Sequence, residues 1–162
     1  MSIEIHPDAR VSPLADLEPS VRGSRYIIGA GSVIDAFVKF KPAGGTGDII
    51  IGNNSYINSG TVLYSGNGIA IGNNVLIAAN CTLAPTNHAW QDRQRPVRDQ
   101  GFAPSKGGIT IEDDVWIGAG CTVLDGAHIG TGCIIAAMTL VREKLEPYGI
   151  YAGIPARKIG DR

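Results

Sequence analysis

The sequence has little of what many chemistries depend on. It holds three cysteines with no C-x-x-C spacing and three histidines with no metal-ligand spacing, so neither a disulfide framework nor a metal site is signalled. Its apolar runs are short and broken by Gly, Asn or Asp, and none approaches the roughly 20 residues of a membrane span. The opening stretch, MSIEIHPDAR, lacks the charged-then-apolar layout of a secretion signal. Charge is nearly balanced, with 14 basic against 15 acidic side chains, which removes any bulk attraction to nucleic acid or an anionic membrane. One soluble, cytoplasmic domain spanning 1–162 is the expectation, long enough for a substantial core.

Glycine is plentiful instead. Twenty-two glycines beside only 6% aromatics suit many short strands joined by tight turns better than long helices. An internal repeat gives this substance. Aliphatic residues recur at every sixth position as Ile111, Ile117, Val123, Ile129, Ile135 and Val141. The spacing returns at Ile71, Ile77 and Leu83, at Ile51, Ile57 and Leu63, at Ile28, Ile34 and Phe40, and at Ile5, Val11 and Leu17. Four residues after each aliphatic the side chain is nearly always small, and all three cysteines (Cys81, Cys121, Cys133) fall in this set with Ala9, Ala15, Val21, Ser32, Ser55 and Thr61. They read as buried space-fillers rather than nucleophiles.

A period of six is neither the 3.6 of a helix nor the 2 of a sheet strand. It predicts an all-β fold, a parallel β-helix in which each hexapeptide supplies a strand and a turn and three make a coil of about 18 residues. The register breaks after Val21, Phe40, Leu63 and His88. Only the last break is long: residues 89–108 form a predicted extruded loop of the kind that is functional or disordered, and Trp90, Val97 and Phe102 argue that it packs on something. A short extension at 145–162 closes the chain, and a helix is an open reading for it.

The small-residue rule fails at Asn67 and Asn87, each before a register break. His88 follows Asn87 at the mouth of the long loop, where a rigid coil and a loop above it can hold an imidazole in one orientation, as a general base requires. His128 shares its repeat position but lies inside the unbroken run, and reads as structural.

At these residues the chain resembles the left-handed β-helix hexapeptide-repeat acyltransferases, in the sugar and polysaccharide O-acetyltransferase branch with the maltose, galactoside and O-antigen enzymes. The markers are the hexapeptides, TNHAW before the long loop, IEDDVWIGAGCTV after it, and YAGIPARKIG at the end. The resemblance implies a left-handed coil and a homotrimer with active sites between subunits. It implies acetyl-CoA as acyl donor, a sugar or glycan acceptor and no metal. His88 matches the catalytic base, and Asn58 and Tyr56 match acceptor-holding positions. Trp116, Ala119 and Ala137 match positions lining the acyl-CoA groove, with Arg142 and Arg157 near the CoA phosphates. Plainer readings stand beside these: Asn58 as a turn residue, Trp116 as an edge cap, Arg157 and Lys158 as a solvated basic end. The implied reaction is acetyl transfer to a sugar hydroxyl in surface polysaccharide or O-antigen synthesis, with N-acetylation of an amino sugar, often nucleotide-linked, as the alternative. A non-catalytic scaffold is a third reading. Two departures bear on the acceptor and the groove. Ser65-Gly66-Asn67 stands where the galactoside branch carries acidic residues, and Met138-Thr139 where many relatives have Gly-Ser.

Overall fold

Each hexapeptide carries the chain past one corner of a triangular prism. The computed structural model describes residues 3–162, so Met1 and Ser2 of the expected 1–162 domain lie outside the described residues. Its strands are two to five residues long and stack into three sheets of seven, eight and six strands. All neighbouring pairs are parallel except the last, where Arg157–Asp161 runs antiparallel to Gly149–Ala152.

Register follows the aliphatic column on every face. On the first face Ile5, Ile28, Ile51, Ile71, Ile111, Ile129 and Leu145 lie over one another. On the second face the column is Val11, Ile34, Ile57, Ile77, Ile117, Ile135 and Tyr151. On the third it is Leu17, Phe40, Leu63, Leu83, Val123 and Val141. From Ile28 onward these side chains are buried, forming one continuous core. The first coil has no neighbour beyond it, so Ile5 remains 45% exposed. Ion pairs on the outer surface tie that coil to the second, Lys41 to Glu18 at 2.7 Å and Lys39 to Asp16 at 2.5 Å, and Arg25 to Asp48 at 2.7 Å ties the second to the third.

The small positions form the corners, and their side chains bond to the following coil. Ser32 and Ser55 hydroxyls donate to the carbonyls of Gly52 (2.7 Å) and Gly72 (2.8 Å), and Thr61 to that of Ala78 (3.2 Å). The cysteines behave alike. The thiols of Cys81, Cys121 and Cys133 donate to the carbonyls of Gly118, Ala136 and Glu146. All three are free and buried; burial pushes the Cys133 thiol up, and a hydrogen bond between the Cys81 and Cys121 thiols, with burial, pushes Cys81 up. Val21 departs from the rule, being 98% exposed in the bend beyond the third face while Ser20 and Ser24 are buried.

Coil length varies at one corner alone. From the first face to the second and from the second to the third, inward aliphatics are always six apart. Between third and first faces, Leu17 to Ile28 and Phe40 to Ile51 are eleven apart, Leu63 to Ile71 eight and Leu83 to Ile111 twenty-eight. Only Val123 to Ile129 keeps the six of an 18-residue coil, and Val141 to Leu145 is compressed to four. Every insertion therefore leaves the prism along one edge, and the longest one lies between the strands Thr82–Ala84 and Ile109–Ile111.

The extension at 145–162 is not helical. Leu145 and Tyr151 continue the six-residue spacing, and the chain then folds back as Arg157–Asp161 along the edge of the second face. An edge strand with unpaired backbone groups is better served by one more strand than by a helix that ignores them.

Candidate active site

The long segment begins where the third face ends. Pro85 is still buried, and Asn87 and His88 are exposed. The chain then pairs with its own return limb: the Ala103 N–H donates to the Asn87 carbonyl (2.7 Å), the Ala89 N–H to the Gly101 carbonyl (3.0 Å), and His88 and Phe102 form an isolated antiparallel bridge. Between them residues 90–100 hold a single 3-10 turn, Val97–Asp99, braced by Gln100, whose side-chain amide donates to the carbonyls of Asp92 (2.8 Å) and Arg95 (2.9 Å).

This ribbon fixes the His88 ring. Nδ1 lies 3.2 Å from the Gly101 carbonyl oxygen, and the ring stacks on Phe102 with centroids 4.8 Å apart and planes at 29°. A carbonyl only accepts, so Nδ1 carries the hydrogen and Nε2 holds the lone pair. Gly101 adopts φ 77°, a left-handed backbone that favours glycine, and this turns its carbonyl towards both the His88 ring and the Ala89 N–H.

A cavity of about 530 Å³ opens beside the ring, bounded by Asn87, His88 and Trp90 from the outgoing limb, Pro104 and Lys106 from the return limb, and Leu124, Asp125 and Arg142 from later coils. Asp125 is 2% exposed. Its carboxylate accepts from the backbone N–H of Lys106 (2.8 Å) and of Gly108 (2.9 Å) and from the Asn67 amide (3.2 Å), so it pins the root of the return limb to the coil.

Of the residues singled out from the sequence, His88 and Arg142 share this cavity; Asn58, Tyr56, Trp116, Ala119, Ala137 and Arg157 do not line it. Those six gather elsewhere. Tyr56, Leu76, Trp116, Ile134 and Ile150 stand in register as an outward stripe of the second face, with Trp116 51% exposed. Asn58, Ala119 and Ala137 occupy the corner between second and third faces, and Arg157 lies on the added edge strand. The Asn58 side-chain amide donates to the Ile77 carbonyl (2.7 Å), a bond to the next coil. Met138 sits at the same corner with φ 61° and is exposed, its Sδ covering Gly120 so closely that a Cβ there would lie 2.5 Å from it.

His128 is held by a carboxylate: Nε2 lies 2.6 Å from Glu112 Oε1, across adjacent coils of the first face. With Thr131 donating its hydroxyl and N–H to the other oxygen, these bonds hold Glu112 down at about 2.

Sequence reasoning missed three participants, Asp125, Lys106 and Gly101. Asp125 had a signal, since it is a carboxylate two residues after an inward aliphatic, where the equivalent Ser65 and Pro85 are buried. Lys106 and Gly101 lie in the non-repeating loop and had none. Among the described residues no group of three or more His, Cys, Asp or Glu side chains is placed to hold a metal ion, and no helix is long and apolar enough to cross a membrane.

Comparison with known proteins places this arrangement. Residues 108–143 match the model for bacterial transferase hexapeptide (six repeats), and residues 48–85 match that for the hexapeptide repeat of succinyl-transferase. A putative acetyltransferase of Saccharomyces cerevisiae is 31% identical over 97% of this chain and 78% of its own length. The galactoside O-acetyltransferase of Escherichia coli is 35% identical over 70% of this chain and 53% of its own. A solved structure of a variant of AntD, an N-acyltransferase from Bacillus cereus in complex with dTDP-4-amino-4,6-dideoxyglucose and coenzyme A, superposes with a TM-score of 0.81 at 27% identity, covering 98% of this chain and 83% of that one. Against several curated relatives the chain spans only about a third to a half of their length. The yeast relative is matched over most of both chains, and hexapeptide models match on both sides of the long loop: the chain belongs to the hexapeptide-repeat transferase family.

Proposed function

We propose that this chain transfers an acetyl group from acetyl-CoA to a sugar hydroxyl, with His88 as general base and both substrates bound together. The observation that carries the reading is the fixed tautomer of His88: Nδ1 bonded to the Gly101 carbonyl, the ring stacked on Phe102, and the ring forming part of a cavity wall. A sugar hydroxyl ionises far above neutral pH, so its proton must leave as it attacks. Nε2 takes that proton while the hydroxyl oxygen bonds to the thioester carbonyl carbon. A backbone N–H steadies the tetrahedral oxyanion. The carbon–sulfur bond then breaks, the imidazolium returns the proton to the thiolate, and CoA thiol and the O-acetyl sugar leave. No enzyme nucleophile is used, in keeping with three buried cysteines that serve the corners.

The separation of the site residues into two groups supports a composite site. His88 sits on the edge between third and first faces, and the stripe of Tyr56 and Trp116 lies on the second face, so in a homotrimer of left-handed coils the edge of one protomer approaches the second face of its neighbour. The acyl-CoA groove is then formed by Trp116, Ala119, Ala137 and Arg157, with Asn58 and Tyr56 facing the acceptor and residues 89–108 covering the reaction. The whole described chain serves as one acyltransferase domain, acting in the cytoplasm on a precursor of surface polysaccharide.

A second reading, N-acetylation of an amino sugar, is favoured by the likeness to AntD, whose structure holds an amino sugar nucleotide. One experiment separates the two. The protein is incubated with acetyl-CoA and a panel of free sugars, nucleotide sugars and amino sugars, thiol release is followed, and the product is treated with alkali. An alkali-labile acetyl group is an ester and supports O-transfer; a stable one is an amide and replaces the first reading with the second. No thiol release above hydrolysis with any acceptor counts against both.

A further inference from the structure

The cavity beside His88 is charged in a way that the transfer chemistry does not require. Lys106 lines it from the return limb of the loop and Arg142 from a later coil. Among the described residues the Lys106 ammonium has no ion pair, and the only one Arg142 makes is a loose approach of Nε to exposed Glu143 at 3.6 Å. The one acid in the lining, Asp125, spends its oxygens on the backbone N–H groups of Lys106 and Gly108 and on the Asn67 amide. Two cations against one saturated carboxylate give a cavity that favours an anion.

An acyl-CoA carries phosphates, but they are far from its reacting end. The arm joining thioester to diphosphate has the length of about four residues of extended chain, roughly 13 Å. A cavity of about 530 Å³ is only about 8 Å across if treated as a cube. With the thioester at His88, the diphosphate lies outside it.

We infer that Lys106 and Arg142 recognise a negative charge on the acceptor itself, a phosphate or carboxylate carried close to the group that is acetylated. This rests on the acetyl-transfer reading and moves Arg142 from the CoA phosphates to the acceptor. A guanidinium can take either anion through paired N–H groups, and the ammonium, on its flexible side chain, adds a point charge from the return limb.

The test is calorimetric, on full-length wild type, Lys106→Ala and Arg142→Ala. Acetyl-CoA and S-acetylpantetheine are titrated first; UDP-glucose and glucuronate, with glucose as the uncharged control, are then titrated in the presence of CoA. The expected result is that wild type binds at least one of the two anionic sugars more tightly than glucose. Each variant should weaken that binding about tenfold or more, the usual loss for a charge-assisted bond, while acetyl-CoA affinity stays within about twofold. The nucleotide-sugar and glucuronate arms tell phosphate from carboxylate. The inference is overturned if the variants weaken acetyl-CoA and spare S-acetylpantetheine, because the cations then hold the donor's phosphates. It is equally overturned if neither anionic sugar binds wild type better than glucose. Failure of wild type to bind acetyl-CoA at all strikes the acetyl-transfer reading instead. A Lys106→Arg variant that restores binding excludes simple loss of loop structure.

Discussion

Asp125→Ala should loosen the return limb of the long loop without unfolding the coil. The wild-type carboxylate receives two backbone N–H groups, at 2.8 and 2.9 Å, and one side-chain amide at 3.2 Å. Gly108 is buried and its N–H has no route to water, whereas Lys106 is exposed and can be rehydrated. Hydrogen bonds to a charged acceptor contribute about 1.5–3 kcal/mol each, and the expected loss, discounted for Lys106, is roughly 2–4 kcal/mol. In a stacked coil this loss falls on the local unit. Amide exchange at residues 106–108 should therefore accelerate about 30- to 700-fold, at 1.4 kcal/mol per factor of ten. Amides in the strands Tyr26–Ile28 and Ile49–Ile51 should be unchanged. Asp125→Asn should fall between, since its amide oxygen still accepts from one N–H while its NH2 faces the other. Hydrogen exchange read by mass spectrometry settles the matter, and acceleration under about threefold at residues 106–108 refutes the idea that Asp125 anchors the loop.

Other outcomes follow from the same geometry. Glu112 has its carboxyl held at about 2 rather than 4.5 by His128 and Thr131, so its contribution is full above about pH 4.5 and fades as pH falls towards 2. Acid titration of stability should show a shallower loss over that range in Glu112→Gln than in wild type. His128→Gln, which touches only this first-face bond, should leave turnover within about twofold while lowering stability, whereas an effect on turnover as large as that of His88→Ala would contradict the structural reading. The three thiols are buried at corners, so the native protein should react with an aromatic disulfide reagent only on unfolding; fast labelling of any one would show that the corner packing is wrong. Ile57→Ala, in mid-column on the second face, should cost about 2–5 kcal/mol in denaturant unfolding, and a cost below about 1 would mean that the column is not packed as described.

The repeat made the fold legible because one physical constraint, stacking identical faces, acts on every sixth residue. It placed the aliphatic columns on their faces and the cysteines at corners, and it located the long loop. It was less informative where the constraint ends. Val21 obeys the spacing but lies past the last strand of an end coil, so nothing buries it. The C-terminal extension was open to a helical reading because Val141 and Leu145 are only four apart, although Leu145 and Tyr151 restore the six. At the site, His88 stood out as a rare residue where the period stops. Its orienting group was not legible: the Gly101 carbonyl is backbone, thirteen residues away in a non-repeating loop, and any residue has a carbonyl. For Asp125 the repeat marked an inward-facing position but not its partners, two of which are backbone N–H groups about 18 residues back.

The central claim is that His88 Nε2 removes the acceptor's proton. The most direct measurement is the pre-steady-state rate of acetyl transfer from acetyl-CoA to the acceptor found in the panel, comparing wild type with His88→Ala at equal assembly state and equal acetyl-CoA affinity. The account predicts a loss of about 10²- to 10⁴-fold in the transfer step, the usual contribution of a general base. A His88→Ala rate within about threefold of wild type contradicts it.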